Sequence, residues 1–236
     1  MGALNMRVSV RAERRHPRRC GIRKLDPSTA VSEEFARYDR RVTDTPPGGA
    51  PQHRDRFFVK QRITMMVNRY EIREANPDGS EGRVIAVAQQ KRMAFKEQVT
   101  FYADEARTQA VFSFKARQAL ELAAVYDVTD GAGLPLGWFQ KDFGASLLRS
   151  SFHLAGPGVD AYGQERNQAV AIIRRFIDLP MSFHFDFTDR QTGAVVMTSE
   201  RQFSLRDRYT VTVPDPRLDF RLAAAMAVGL DALLQR

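Results

Sequence analysis

The segment "RLAAAMAVGLDALLQR", residues 221–236, restricts the possible folds of this chain more than any other stretch. From Leu222 to Leu230 the run holds no polar residue, and up to Leu234 only Gly229 and Asp231 stand among its apolar side chains. Wound as a helix, such a segment shows apolar side chains on nearly every face and keeps none for water. It therefore has to be enclosed. A bilayer does not fit its length, because an uninterrupted run this short rises only about 14 Å against a hydrocarbon thickness of roughly 30 Å. Protein on all sides remains, and Ala223, Ala224, Ala225, Ala227 and Gly229 let neighbouring side chains approach closely. The helix is expected to start at about Arg217, with Asp215 as capping acceptor and Pro216 at the first helical position.

The chain ahead of it supplies the wrapping. From Phe57 onward, short β-branched and aromatic stretches alternate with turns of Asp, Gly and Asn, the pattern of antiparallel strands. A loose internal repeat stands out: hairpin-like stretches begin at Tyr70, Tyr126 and Phe185, spaced 56 and 59 residues apart. Asp78-Gly79, Asp130-Gly131 and Gly193 supply the chemistry of their reversals. With "FFVKQRI", "QVTFYA", "AVFSFKA", "LELAAVYDV", "LLRSSFHL" and "DRYTVTV", the count reaches about twelve strands. Such a sheet is long enough to curl into a closed antiparallel barrel around the C-terminal helix, which also removes its edges. The fold class is thus mainly β, over residues 57–236. One further short amphipathic helix is expected within "GQERNQAVAIIRRFIDLP", where Ala169, Ile172, Ile173 and Phe176 share a face and Pro180 ends the run.

The formal net charge of +8 suggests an anionic partner until it is located. Residues 1–56 hold 13 Lys and Arg against 7 Asp and Glu, leaving 23 against 21 for the remainder. The excess therefore lies mainly in the first segment, and bulk attraction of the barrel to nucleic acid is not expected. Residues 1–56, rich in Arg, Pro and Gly, read as a disordered basic tail and linker, or in part as sequence ahead of a later translation start. The single cysteine, Cys20, excludes an intramolecular disulfide and a cysteine-rich metal site. The first thirty residues carry no secretory apolar region, and Met6 stands where a myristoylation signal needs Ser or Thr. A cytoplasmic protein, at most peripheral to a membrane, is the expectation.

Three stretches carry a family likeness: "FFVKQRITMMVNRYEI", "WFQKDFGASLLRSSFHL" and "RQFSLRDRYTVTV" followed by "DFRLAAAMAVGLDALLQR". The chain resembles the LURP-one-related family of the tubby C-terminal-like superfamily, which includes the phospholipid scramblases. The likeness spans about residues 57–236 and is most specific at Arg206, Asp207, Tyr209, Val211, Val213, Asp219 and Asp231. It implies a twelve-stranded barrel with a C-terminal helix along its axis, in agreement with the periodicity. It also implies structural roles for Asp207, Tyr209, Asp219 and Asp231. Lipid binding and lipid movement in the relatives carry over only as analogy.

Catalytic motifs are not found. "GAGLPLG", residues 131–137, has the wrong glycine spacing for a dinucleotide loop, and no phosphate loop or nucleophile elbow occurs. His184 and Asp186 share a strand face, but without a third ligand in view a packed histidine is the simpler reading than a metal or proton relay. Asp231 on an enclosed helix needs a partner, expected to be an arginine or backbone donors near a barrel mouth. Trp138 reads as packing. The basic residues are the remaining clue: Lys60 and Arg62 share a face of the first strand, Lys91, Arg92 and Lys96 follow the first hairpin, and Arg174 and Arg175 lie on the polar side of the short helix. Converging, they would cradle anionic phospholipid headgroups; otherwise they form a solvated exterior with acidic partners. The expected function is a non-enzymatic binding module for anionic phospholipid or a protein partner, with no cofactor and no metal. The alternatives are an inert scaffold recruited through its arginine-rich tail and a scramblase-like or metal-dependent activity on lipids.

Overall fold

The computed structural model describes residues 52–63, 67–91, 98–117, 124–142, 150–166, 184–202 and 208–234. They form strands β1 (Arg56–Ile63), β2 (Val67–Ala75), β3 (Glu81–Lys91), β4 (Gln98–Tyr102), β5 (Ala110–Ala116) and β6 (Val125–Asp130). There follow β7 (Pro135–Asp142), β8 (Ser151–Gly156), β9 (Val159–Glu165), β10 (His184–Asp189), β11 (Val195–Gln202), β12 (Arg208–Thr212) and the helix α1 (Phe220–Leu234). Each strand pairs antiparallel with its neighbours in sequence, and β1 pairs with β12, Val59 opposite Tyr209. The sheet is thereby a closed barrel of twelve strands with no free side edge.

Strand alternation decides what fills it. In β12 Tyr209 and Val211 are buried between partly exposed Arg208, Thr210 and Thr212, and β10 repeats the pattern with Phe185 and Phe187. The inward side chains meet α1, whose residues from Phe220 to Asp231 are all buried. Aromatic rings pack the interior: Phe139 stacks on Tyr126 with centroids 5.1 Å apart and meets Phe114 edge-on at 5.4 Å, while Phe101 stacks on Phe112 at 4.3 Å. The helix lies close to this wall at Gly229, where an added Cβ would sit 2.7 Å from the Phe139 ring.

The start of α1 differs from the expectation. Asp219 is the cap: its carboxylate accepts the Arg221 N–H at 2.8 Å and its carbonyl accepts the Ala223 N–H at 3.0 Å. Asp215 instead makes a preceding turn, its carboxylate accepting the Arg217 N–H at 2.9 Å and its carbonyl the Leu218 N–H at 3.2 Å. Both aspartates satisfy the same local rule, and the segment just ahead of β1 bonds to the one at the helix start. Gln52 donates its N–H to the Asp219 carboxylate at 3.0 Å and accepts the Phe220 N–H at 2.8 Å. Arg54 lies over the Phe220 ring at 5.1 Å, and Asp55 accepts the Val213 N–H at 2.8 Å. Residues 52–55, ahead of the 56/57 boundary read from composition, thus already contact the start of α1 and the chain just after β12.

In the second of the repeated hairpins the positive φ falls on Gly133 rather than Gly131. Asp130 builds that turn by accepting the N–H groups of Ala132 and Leu134. The quoted run expected to hold a short helix begins in β9, which includes Gly163 to Glu165, and its part after Arg166, residues 167–180, lies outside the described residues. Strand directions give the barrel two different ends. Tight connections such as residues 157–158 and 131–134 close one end, while β1, β3, β5, β7, β9 and β11 all finish at the other. Helix α1 runs the same way, from Phe220 beside Phe57 and Phe112 to Asp231 beside Tyr70 and Tyr209.

Substituting Gly229→Ala tests the helix-to-wall contact. Helix propensity alone favours alanine by about 1 kcal/mol. The clash with a Phe139 ring fixed by its own stacking partners reverses the sign, and a net destabilisation of about 1–3 kcal/mol is expected in urea unfolding.

Candidate functional site

Because Phe57, Val59 and Gln61 point inward from β1, and Tyr70 and Ile72 from β2, the residues between them face outward. Register then assembles a charged surface. Lys60 lies opposite Glu71 of β2 on one side and Arg208 of β12 on the other, Arg62 opposite Arg69, and Phe58 opposite Arg73. Five cationic side chains, Lys60, Arg62, Arg69, Arg73 and Arg208, thereby share the outer face of β12, β1 and β2.

Glu71 stands at the centre, only 3 % exposed. Arg62 Nε lies 3.3 Å and Arg69 Nε 3.6 Å from one of its oxygens, and Arg73 donates to the other from Nε at 3.2 Å and Nη2 at 3.1 Å. Glu81, at the start of β3, accepts from Lys60 Nζ at 2.5 Å and from Arg208 Nη1 at 3.0 Å. Partial burial works against the Glu81 charge, yet the hydrogen bonds and charges of Lys60 and Arg208 outweigh it and hold its carboxyl below the usual glutamate range. Glu105, in the connection after β4, pairs with Arg69. Arg208 also donates to the Gln202 amide and lies over the Phe58 ring at 5.2 Å. Five cations against the three carboxylates Glu71, Glu81 and Glu105 leave an excess of two positive charges in this network.

Of the basic residues singled out from sequence, Lys60 and Arg62 belong to this face. Lys91 closes β3, beside the start of β2, with its side chain outside the described residues. Arg92, Lys96, Arg174 and Arg175 lie outside the described residues, as does Asp207. The connections that carry these four basic residues leave from β3 and β9, hence from the same barrel end. Arg69, Arg73 and Arg208 were not among the residues that sequence reasoning selected. The first two were legible in "RYEIR", residues 69–73, where charged residues alternate with Tyr70 and Ile72 at the period of a strand.

The barrel interior holds a second polar group. Asp231, fully buried, accepts hydrogen bonds from the Tyr209 hydroxyl on β12 and, at 3.1 Å, from the Tyr70 hydroxyl on β2. The two tyrosine hydroxyls supply the bonded environment that an enclosed carboxylate needs, as donors that the sequence reading did not name. Gln61 donates to the Tyr70 oxygen at 3.3 Å. Burial first, and then the Asp231 charge, push the Tyr70 phenol far above its ordinary range. Lys141 reaches in from β7 to the Leu233 carbonyl at 3.2 Å, serving the end of α1. His184 and Asp186 do share the outer face of β10, but the Asp186 carboxylate is paired with Arg166 at 2.6 Å and 2.8 Å. Among the described residues no group of three His, Cys, Asp or Glu is placed to hold a metal ion. Trp138 packs edge-on against the His153 ring at 4.6 Å.

Compared with known protein families, residues 84–231 match the LURP-one-related family. The matched span covers more than half of the chain and includes β12 and most of α1, whereas β1 and β2 precede it. No curated protein matches the chain.

Replacing Tyr70 by Phe removes one donor to the buried carboxylate. Urea titration at neutral pH is expected to show a loss of about 1–3 kcal/mol. Because the native phenol is raised, it keeps its proton where the unfolded chain releases it near pH 10. The associated stabilisation is whole below that pH and declines as pH rises further. The stability gap between wild type and Tyr70→Phe should therefore stay constant around neutrality and narrow in alkali.

Proposed function

The chain belongs to the LURP-one-related family, and we propose that it is a non-enzymatic, tubby-like binding module that docks on anionic phospholipid headgroups through the outer face of β12, β1 and β2. One observation carries this reading: five cations on adjacent strands are held in place by only three carboxylates, and the most buried carboxylate, Glu71, is flanked by three guanidiniums. Arginines ordered in this way meet a phosphate group with little further loss of side-chain freedom. Each basic residue near an anionic bilayer surface contributes about 1 kcal/mol.

Two further features support the same direction of approach. Lys60 and Arg62 lie on β1 as it nears the barrel end where β1, β3 and β9 finish, and the connections carrying Arg92, Lys96, Arg174 and Arg175 start there. From sequence, the β1–β2 and β3–β4 connections, which leave from that end, also hold Met65, Met66, Met93 and Phe95, apolar residues that beside Arg92 and Lys96 suit a headgroup region. Docking at the surface, rather than spanning, agrees with the partition of the chain. No helix among the described residues is long and apolar enough to cross a membrane, and the charged side of β1 and β2 faces outward, opposite to the apolar exterior of a membrane barrel. On this reading the protein works as a peripheral membrane protein on the cytoplasmic side.

Cosedimentation with phosphatidylcholine vesicles, with and without phosphatidylserine, tests the proposal. Binding is expected only to the anionic vesicles and should weaken as salt is added. The double variant Lys60→Gln, Arg62→Gln should lose roughly thirtyfold in affinity, with its thermal unfolding little changed. Equal binding to neutral vesicles, or full binding by the double variant, would set this face aside. Binding that disappears when residues 1–51 are removed from an intact barrel would instead favour recruitment by the arginine-rich tail.

A further inference from the structure

The three carboxylates of the cationic face are not equivalent. Glu71 is 3 % exposed and flanked by three guanidiniums, so it belongs to the wall. Glu81 is 18 % exposed and bridges Lys60 and Arg208, two residues on different strands. Glu105 is 68 % exposed and has a single cationic partner, Arg69. It arrives from outside the face, on the connection between β4 and β5.

That connection has its own supports. The Asp104 carboxylate accepts the Thr108 hydroxyl at 2.9 Å, the Arg107 N–H reaches the Asp104 carbonyl at 3.2 Å, and the Ala103 N–H reaches the Gln109 carbonyl at 3.0 Å. None of these bonds involves the Glu105 side chain. Arg69 is likewise anchored without Glu105, because its Nε lies 3.6 Å from Glu71. The Glu105–Arg69 pair can therefore open while both the loop and the arginine stay in place. A carboxylate bound to a guanidinium presents the same chemistry as a headgroup oxyanion, and an exposed ion pair is weak enough to be exchanged for one.

We propose that Glu105 sets the affinity of this face: its carboxylate is an internal counter-ion on Arg69 that an incoming anionic headgroup displaces. The inference rests on the phospholipid-docking reading above and adds to it a residue that opposes docking. It assigns Glu71 and Glu81 to the support of the cations and Glu105 alone to competition with the ligand.

The test uses the full chain and phosphatidylcholine vesicles containing phosphatidylserine. Glu105→Gln should bind about two- to fivefold more tightly than wild type, the range that an exposed ion pair controls. Its melting temperature should be unchanged, since the loop bonds remain. Removing one negative charge would also favour any anionic surface in a general way, so the same substitution is made in an Arg69→Gln background. There the gain should disappear, because the occupied guanidinium is gone. Unchanged or weaker binding by Glu105→Gln, with wild type binding normally, overturns the inference and leaves the docking face standing. A gain that persists without Arg69 also overturns it, in favour of bulk charge. If wild type fails to bind the anionic vesicles at all, the docking reading falls and the inference falls with it.

Discussion

A helix without a polar side governs this molecule. Residues from Phe220 to Asp231 are buried around the full circumference of α1, and no single sheet face or helix pair could cover them. Twelve strands closed on themselves do so, and closure satisfies the backbone groups that an open sheet of this size would leave at its edges. The helix is also the barrel's filling, since inward rings such as Phe139 pack against each other and against Gly229. Neither part is stable in water without the other: the wall would enclose a void, and the helix would expose its whole apolar surface.

The two ends of the helix are fixed by polar groups of different reach. At its start, Asp219 caps the first turn and accepts from Gln52, tying the entry of the sheet to the entry of the helix. Near its finish, Asp231 bonds to hydroxyls on β2 and β12, the strands that flank β1. These are the strands next to the closing seam, where pairing joins the most distant parts of the chain. A carboxylate buried there is costly unless every strand around it is in register. It thereby favours the closed barrel with α1 in one axial position over slipped alternatives.

Much of this was legible in the sequence, for reasons that differ by element. The enclosed helix was evident because Leu222 to Leu230 leave no hydrophilic face, and the barrel because short alternating strands recur with turn residues between them. Hairpins around Tyr70, Tyr126 and Phe185 follow from local turn chemistry. The first residue of the helix did not, since Asp215 and Asp219 carry the same capping signal and the Gln52 that bonds to Asp219 lies 167 positions away. The partners of Asp231 were hidden for a similar reason: no local pattern says that Tyr70 and Tyr209 reach the helix from separate strands. On the outer face, Lys60 and Arg62 were readable as neighbours on one strand. Their alignment with Arg208 depends on the β1–β12 pairing, which only the closed sheet reveals.

Enclosing the apolar residues has a consequence for the surface. Once rings, aliphatic side chains and α1 account for the interior, the outward positions of β12, β1 and β2 are free to carry charge without loss of core. Strands spaced about 4.8 Å apart then bring like charges together, and cross-strand repulsion would destabilise the seam where the barrel closes. Glu71 answers that repulsion from within the sheet, and Glu81 from the adjoining strand. Their number is the telling feature. A surface needing only neutrality at the seam would match its cations with as many carboxylates, whereas this one stops short while ordering every guanidinium it leaves in excess. The barrel's closure and its positive outer face are thus two results of one arrangement: the same register that seats the helix also decides which arginines stand side by side.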